Sequence, residues 1–321
     1  MAFCQDQAKV AWTNWNRFWF TPERHETLAV IRICSGLMIF YTHLVWSSDL
    51  LGFFGVDGRI PPEAMAEFHY SQFYNTSAFG WSHWLWFDSP TILWTIHILG
   101  LVITLLFAFG CATRVTSILT FLLTISYIHR VPGALFGLDQ INSFLVMYVM
   151  IGDAGRAYSV DRWLAGRSGK TVPDRSVLTN IALRLIQLHM CIVYLFAALG
   201  KLQGETWWAG QAMWLSLANY EYQTLDMLWL GQHPLLINLL THITLLWEAS
   251  YIALIWPKWS RPFMLLVAIP LHLGIALCMG MITFGLIMLV GNMAFVPPAF
   301  TAACVAGLTG WWGRAGEGHP A

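Results

Sequence analysis

The chain has 321 residues, of which 57% are hydrophobic and only 11% are charged, and it contains 18 tryptophans. Soluble domains carry about 25% charged residues, so this composition excludes an ordinary soluble domain. The 17 basic and 17 acidic residues balance, which leaves no basic footprint for a nucleic-acid partner. The six cysteines have no CxxC spacing, so neither a disulfide framework nor a zinc site is predicted.

The first predicted element is a helix over residues 9–20, KVAWTNWNRFWF. Its apolar side chains fall on roughly one side, flanked by Lys9 and Arg17, which is typical of a helix lying on a bilayer. Apolar segments follow that are long enough to cross about 30 Å of hydrocarbon. We place eight spans near residues 26–47, 91–110, 115–132, 138–152, 178–201, 234–256, 262–279 and 281–296.

The sequence therefore predicts an all-α, polytopic transmembrane helical bundle of about eight spans. Its transmembrane domain covers residues 26–312, between an N-terminal interfacial segment (1–25) and a short polar tail (313–321). Residues 299–312 follow the Pro297-Pro298 break and are apolar. They are open to three readings: a ninth span, a re-entrant segment or an interfacial one.

The distribution of basic residues predicts the orientation of the bundle. With eight spans, twelve of the 17 basic residues fall on the side of the N-terminus and two, Arg59 and Arg130, on the other. Cytoplasmic loops carry the excess of Lys and Arg. We therefore expect a multi-pass protein of the cell inner (plasma) membrane with both termini in the cytoplasm, and the bilayer is its first predicted partner.

Ionisable and amide side chains recur at similar depth in seven of the predicted spans. Such groups are costly in hydrocarbon and usually face an interior cavity, which we place between spans three and seven, open to the outside. The outer layer contains His43, His97, His129, Arg130, Asp139, Asn142, Lys201, His242 and His272. A deeper set contains Arg32, Arg184, His189 and Glu248.

Some of these groups also have purely structural interpretations. Arg32 and Arg184 are expected to be buried ion-pair partners, with Glu248 as the acidic member. Arg130 caps a helix end before Val131-Pro132-Gly133, and Asp139 pairs with it or shapes the outer mouth of the cavity with it. The histidines lack the i, i+3 or i, i+4 spacing of a helical ligand pair, so no metal site is predicted.

Lys201 ends an almost continuous apolar helix and precedes the tryptophan-rich turn that contains Trp207 and Trp208. One interpretation is an interfacial cation whose stem lies along apolar surface above an aromatic belt. The other is a partly desolvated amine that acts as a base or a nucleophile. Position alone leaves both open.

Four motifs resemble known sequences. Around Lys201 the matching residues are Tyr194, Ala197, Ala198, Gly200, Lys201, Leu202, Trp207 or Trp208, Gly210 and Met213. The others are VDGRIP at 56–61, DAGRAYSVD at 153–161 and PLHLGIALCMGMITFGLIML at 270–289. Together they resemble the membrane core of the vitamin K-dependent gamma-carboxylase family, which belongs to the wider horizontally transferred transmembrane (HTTM) domain class.

This resemblance implies a catalytic role for Lys201, as the base that deprotonates a vitamin K-like reduced quinone, with His272 beside it. Asn142 stands where the family pattern has a histidine, and with His272 it is expected to hydrogen-bond the quinol oxygens. The other predicted cofactor-binding residues are His129, His242, Trp207 and Trp208. The family's large domain that presents a protein substrate has no counterpart in this sequence, so quinol or lipid chemistry is expected rather than protein carboxylation.

Two classes of function follow. The first is a membrane-embedded enzyme, carboxylase-like (a lyase or ligase) or a quinol-dependent oxidoreductase, with a lipid-soluble substrate. The second is a non-catalytic membrane module that binds a lipid or a peptide for the maturation of a partner protein. A buried Lys201 beside His272 favours the enzyme, whereas a Lys201 that points into bulk water favours the module.

Overall fold

The computed structural model describes residues 2–65, 67 and 81–316, and the side chains of residues 7–65, 67 and 81–308. Within these residues helices dominate. Strands occur there only as the antiparallel pair β1 (Glu23–Arg24) and β2 (Arg175–Ser176). The predicted all-α class is confirmed. Of the predicted polar tail, residues 317–321 lie outside the described part of the chain.

Fourteen helices have both of their ends among the described residues, and residues 62–65 and 67 are helical as well. In chain order they are α1 (Ala2–Phe20), α2 (Glu26–Trp46), α3 (Leu50–Phe54), α4 (Pro90–Phe109), α5 (Thr113–Arg130), α6 (Gly137–Ile151), α7 (Val160–Arg167), α8 (Val177–Leu202), α9 (Glu205–Trp208), α10 (Ala212–Leu217), α11 (Pro234–Leu254), α12 (Arg261–Cys278), α13 (Ile282–Asn292) and α14 (Pro298–Gly316). Short 3₁₀ turns lie at Ser47–Asp49, His83–Leu85, Pro132–Ala134, Ala154–Arg156, Leu228–Gln232 and Met293–Phe295.

Each of the eight predicted spans coincides with a helix, and the predicted ends fall within two residues of the observed ones except at the end of the eighth. Five helical segments of the described chain are long and apolar enough to cross a membrane: Glu26–Phe54, Pro90–Phe109, Val177–Leu202, Pro234–Leu254 and Arg261–Cys278. Gly137–Ile151, Ile282–Phe295 and Pro298–Leu308 are apolar but shorter. The number of complete crossings stays a prediction.

The helices form two compact units, residues 1–184 with 296–321 and residues 185–295. In the first unit α2 packs against α4, where a Cβ on Gly36 would lie only 2.9 Å from Ala108, so this position needs a glycine. Helix α14 also packs on α2, because the hydroxyls of Thr27 and Thr301 form a 2.9 Å hydrogen bond. The last apolar helix therefore returns to the first predicted span.

In the second unit, the end of α8 packs with α11, α12 and α13. A Cβ on Gly285 of α13 would lie 2.4 Å from the carbonyl oxygen of His272, so glycine lets α13 approach the backbone of α12 closely. Pro270 lies inside α12, two residues before His272, and supplies no backbone N–H to the helix. His272 therefore lies next to the proline of α12 and at a close approach of α13 to the α12 backbone.

Candidate functional site

Lys201 and Glu248 form a partly buried ion pair in the second unit. The Nζ atom of Lys201, in the last turn of α8, lies 3.0 Å from Oε1 and 2.7 Å from Oε2 of Glu248 in α11. The Lys201 side chain is 24% exposed and that of Glu248 is 8% exposed. Nζ also lies 5.3 Å from the ring centroid of Trp207, whose π face attracts a cation. Lys201 therefore points into the protein, not into bulk water.

The predicted pairing of Glu248 with Arg32 or Arg184 is wrong, because the acidic group binds Lys201 instead. Arg32 is fully buried and donates to three backbone carbonyls, those of Ala154, Ala157 and Tyr158. Arg184 donates from Nε to the carbonyl of Phe18 and lies over the Phe18 ring. Backbone carbonyls therefore bind the Arg32 guanidinium in place of the carboxylate that the sequence predicted.

His272 belongs to a chain of buried hydrogen bonds. The Tyr194 hydroxyl lies 2.6 Å from Nε2 of His272, the Asn292 amide donates to that hydroxyl at 2.7 Å, and the Tyr251 hydroxyl donates to Asn292 Oδ1 at 2.6 Å. Since the Tyr194 oxygen accepts from Asn292, its own proton is free to donate to Nε2. A neutral His272 then carries its proton on Nδ1.

The Nδ1 atom of His272 is buried and has no hydrogen-bond partner among the described residues. Buried polar atoms are normally paired, and an exception at a site asks for an explanation. A donor of this kind can bind an oxygen atom of a ligand. His272 therefore has one nitrogen fixed by the protein and one available for recognition.

An aromatic shell surrounds this chain. The Tyr194 ring lies 5.0 Å from Trp247 in an edge-on arrangement and 4.3 Å from Tyr251. Trp247 also contacts His272 at 6.4 Å between ring centroids and donates from its indole nitrogen to the carbonyl of Met264. Burial of both partners strengthens the hydrogen bonds of the chain, because water does not compete for them.

The other predicted site residues of the second unit are Trp207, Trp208 and His242, and only Trp207 contacts the Lys201–Glu248 pair. Trp207 lies beside the Lys201 amine, whereas Trp208 is 63% exposed and donates to the carbonyl of Leu202. His242 makes a 2.9 Å hydrogen bond from Nδ1 to the carbonyl of Asn238, in its own helix.

Two residues of the hydrogen-bond chain, Tyr251 and Asn292, were not identified from the sequence. Tyr251 lies one turn after Glu248 on α11, and Asn292 is an amide at the end of an apolar helix, and these two patterns were the available signals.

The other predicted residues lie in the first unit. Asn142 is buried, its Oδ1 atom has no partner among the described residues, and it lines a cavity of about 20 Å³ together with His43 and Asp139. That volume holds about one water molecule. His43 stacks on Tyr127 with the ring centroids 4.0 Å apart.

The predicted mouth residues do not pair with each other. The Asp139 carboxylate accepts the backbone N–H of Phe136 and so caps its own helix, α6. Arg130 is buried and donates to the carbonyl of Gly55. His129 binds the carbonyl of Trp81. These contacts join the ends of α5 and α6 to neighbouring turns.

Fold and site together define a polytopic helical membrane protein with an ion pair and a tyrosine–histidine hydrogen-bond chain buried among apolar helices. Comparison with protein families agrees: the HTTM domain matches residues 20–300, most of the chain. The chain belongs to the HTTM domain family, so the predicted membership of the HTTM class is confirmed. Comparison with curated proteins and with solved structures gave no match.

Proposed function

We propose that this protein is a membrane-embedded enzyme that removes a proton from a lipid-soluble hydroxyl compound of the quinol type. One observation carries the proposal: the Lys201–Glu248 ion pair lies at the end of an apolar helix, with Glu248 buried and Lys201 three-quarters shielded from solvent. Burying two charges has a large desolvation cost, and a hydrophobic pair of similar size would often stabilise a protein as well or better. A function that needs both groups gives a reason for keeping them.

The pair suits removal of a proton because each of its two protonation forms offers an acceptor. In both forms the O–H bond of the quinol breaks and its electron pair stays on oxygen. In the ionic form the proton goes to the Glu248 carboxylate, so the phenolate replaces the carboxylate as the anion beside the Lys201 ammonium and no additional charge is buried. In the neutral form, amine and carboxylic acid, the Lys201 amine takes the proton, and the ammonium formed in this way stabilises the new phenolate.

The described residues also fit a quinol. The Trp207 ring beside Lys201 offers an aromatic face for the ring of the ligand, and the unpaired Nδ1–H of His272 offers a donor to one of its oxygens. Tyr194 and Asn292 hold the His272 ring in orientation. A bound quinol would supply the acidic hydroxyl and the electrons for later steps. The role of this chain's residues is to bind it, orient it and take its proton.

The expected setting is the cell inner membrane, with both termini in the cytoplasm and the site open towards the outer side. A lipid-soluble substrate would then enter from the bilayer. Carboxylase-like and quinol-oxidising reactions share this first step, so the proposal covers both. The competing class, a module that binds a lipid or peptide without chemistry, differs in needing no proton acceptor.

The test uses the full chain in vesicles with a reduced naphthoquinone, and follows oxygen uptake, which is faster for the phenolate than for the neutral quinol. We expect uptake above the protein-free rate, and a loss of about 10²- to 10⁴-fold in Glu248→Gln and in Lys201→Met. Lys258→Met is the matched control, because Lys258 is an exposed lysine of the same unit. Uptake at the protein-free rate, or full activity of both site variants, would contradict the proposal and favour the module.

A further inference from the structure

A second polar depression lies in the first unit, beside the β1–β2 pair. It has a volume of about 560 Å³, within the range of small-molecule sites. Four arginines line it, against two carboxylates, Glu26 and Asp174; the arginines are Arg24, Arg156, Arg162 and Arg175. The lining therefore carries an excess of positive charge.

The positive charge is only partly neutralised by the protein. Arg24 pairs with Glu26, Arg156 lies 3.3 Å from Asp153, and Arg162 lies 3.9 Å from Asp174. No carboxylate of the described residues lies within 4 Å of the Arg175 guanidinium, which is exposed. Arg24 and Arg175 are also directly opposite each other in the β ladder. Like charges in opposite positions destabilise a strand pair, so this ladder gains from an anion between them.

An apolar groove of about 380 Å³ adjoins the basic depression. Tyr158 lines both, so the two spaces meet at this residue. From Tyr158 the groove follows α2 at Ile33 and Leu37 and the end of α4 at Phe109. Leu37 and Phe109 are 43% and 59% exposed, within segments long and apolar enough to cross a membrane. The groove therefore opens towards hydrocarbon.

We propose that these two spaces form a binding site for an anionic phospholipid. The phosphate headgroup occupies the basic depression near Arg156 and Arg175, and one acyl chain follows the groove along α2 and α4. Charge complementarity selects the headgroup, since basic pockets at membrane helices bind anionic lipid headgroups. The apolar continuation beyond Tyr158 selects a lipid over a free phosphate.

The backbone around Tyr158, where the two spaces meet, is held in one conformation by its neighbours. Tyr158 has a φ of +47°, which is uncommon for a residue with a side chain, and its carbonyl accepts a 2.6 Å hydrogen bond from Arg32. A Cβ at Gly110, whose φ is +71°, would lie 2.5 Å from Ser159 and 2.9 Å from Arg32. Only glycine therefore lets the turn after α4 pack this closely against Ser159 and Arg32. Strained backbone that neighbouring groups hold in place clusters at ligand sites.

The headgroup half of the site is tested with spin-labelled lipids. The full chain is reconstituted in phosphatidylcholine vesicles with a trace of labelled phosphatidylglycerol or labelled phosphatidylcholine of the same acyl chains. We expect electron paramagnetic resonance to show more motionally restricted phosphatidylglycerol than phosphatidylcholine. Arg175→Gln should weaken that preference about fivefold, and Arg156→Gln combined with it about 25-fold. Lys258→Gln, which removes an exposed charge elsewhere, should leave it unchanged.

The acyl half is tested by filling the groove. Val160 lines it, so Val160→Trp should release the restricted phosphatidylglycerol, while Leu122→Trp, at a 42% exposed position outside the groove, should not. Equal restriction of the two lipids, or no effect of the arginine variants, would overturn the proposal. The proposal would also be overturned if glycerol phosphate or inorganic phosphate displaced the labelled lipid completely and Val160→Trp had no effect. The site would then bind a free anion and not a lipid.

Discussion

The Nζ atom of Lys201 lies 2.7 Å from Oε2 of Glu248, and this ion pair joins α8 to α11 in the second unit. Glu248 is the more deeply buried member, since its side chain is 8% exposed against 24% for Lys201. A charge without its partner at such a position costs more than the same charge at a surface, because less water solvates it. The two residues are therefore expected to depend on each other for stability.

Glu248→Gln should lower the free energy of unfolding in detergent by about 1–3 kcal/mol, the usual cost of an orphaned buried charged group. Lys201→Met should also destabilise the protein, because it leaves the Glu248 carboxylate buried without a cation. Thermal and denaturant unfolding, followed by tryptophan fluorescence, measure both changes.

The double variant, Glu248→Gln with Lys201→Met, shows whether the two effects share one cause. Its loss should be smaller than the sum of the single losses by about 0.5–3 kcal/mol, as for residues in direct contact. Lys258→Met, at an exposed position, is the control for the loss of a lysine. Strictly additive losses would mean that the ion pair contributes nothing as a pair.

A second prediction about stability concerns the buried side chain of Arg32. Its guanidinium is fully buried and binds the carbonyls of Ala154, Ala157 and Tyr158 from two nitrogens. Lysine keeps the charge but lacks the planar fork that reaches several acceptors at once. Arg32→Lys should therefore cost about 1–3 kcal/mol and speed hydrogen exchange of the amides in residues 154–159. Arg167→Lys, at an exposed site over Trp163, should change neither quantity.

The long helices could be predicted from the sequence because their signal is strong. An apolar run of about 20 residues has few ways to satisfy its backbone except as a helix, and hydropathy reports its ends. The end of α13 is the exception: Asn292 closes the helix, and a 3₁₀ turn at Met293–Phe295 follows it. The apolar run passes through this change of geometry, so hydropathy could not detect it.

Side-chain partners could not be predicted in the same way. Depth estimated from a span suggested Arg32 or Arg184 for Glu248, whereas the structure gives Lys201, in the last turn of its helix. Depth along a helix does not say which face a residue occupies. The sequence also could not show that backbone carbonyls bind Arg32. Every residue has a carbonyl, and only the conformation of the loop places these carbonyls near the guanidinium.

His25 makes stability depend on pH. It lies before α2 and is buried, with hydrogen bonds to the Thr179 hydroxyl and the Pro173 carbonyl. Burial lowers its pKa below the ordinary value of 6.5; the hydrogen bond to Pro173 opposes this, and the charge of Arg156 adds to it. The unfolded chain then binds a proton more readily than the folded one. The stability from His25 is complete above about pH 6.5 and is lost as pH falls through the folded-state pKa.

Melting temperatures between pH 5 and pH 8 test this sign. The wild-type protein should lose stability below about pH 6.5, and His25→Gln should be less stable at pH 8 but lose less on acidification. Burial also lowers the pKa of His83, to about 4, so part of the slope should remain in the variant. A His25→Gln protein with the full wild-type slope would show that His25 does not titrate on unfolding.

The orientation of the bundle is tested by cysteine labelling in intact cells. Because twelve basic residues lie on one predicted side, single cysteines placed within 160–175 should be protected from an impermeant thiol reagent. Cysteines placed within 215–225 should react. Permeabilised cells provide the control, since both sets should then be labelled. Labelling of the first set in intact cells would reverse the predicted orientation.

Lys201→Arg separates the two interpretations of the lysine. Arginine keeps the positive charge beside Glu248 and much of the apolar stem, but its guanidinium does not give up a proton. If the Lys201 amine is the base, activity should fall by about 10²- to 10⁴-fold, while expression, folding and bound quinol remain. If Lys201 is an interfacial cation, arginine should serve as well, and the variant should behave like the wild type.

The readouts for Lys201→Arg are oxygen uptake with reduced naphthoquinone and mass spectrometry of quinone that co-purifies with the protein. Lys258→Arg is the matched control, because the same substitution at an exposed lysine should alter neither. Loss of uptake with quinone still bound would place the defect in the removal of the proton and not in binding. Full activity together with bound quinone would exclude the amine as the base and leave the Glu248 carboxylate as the proton acceptor.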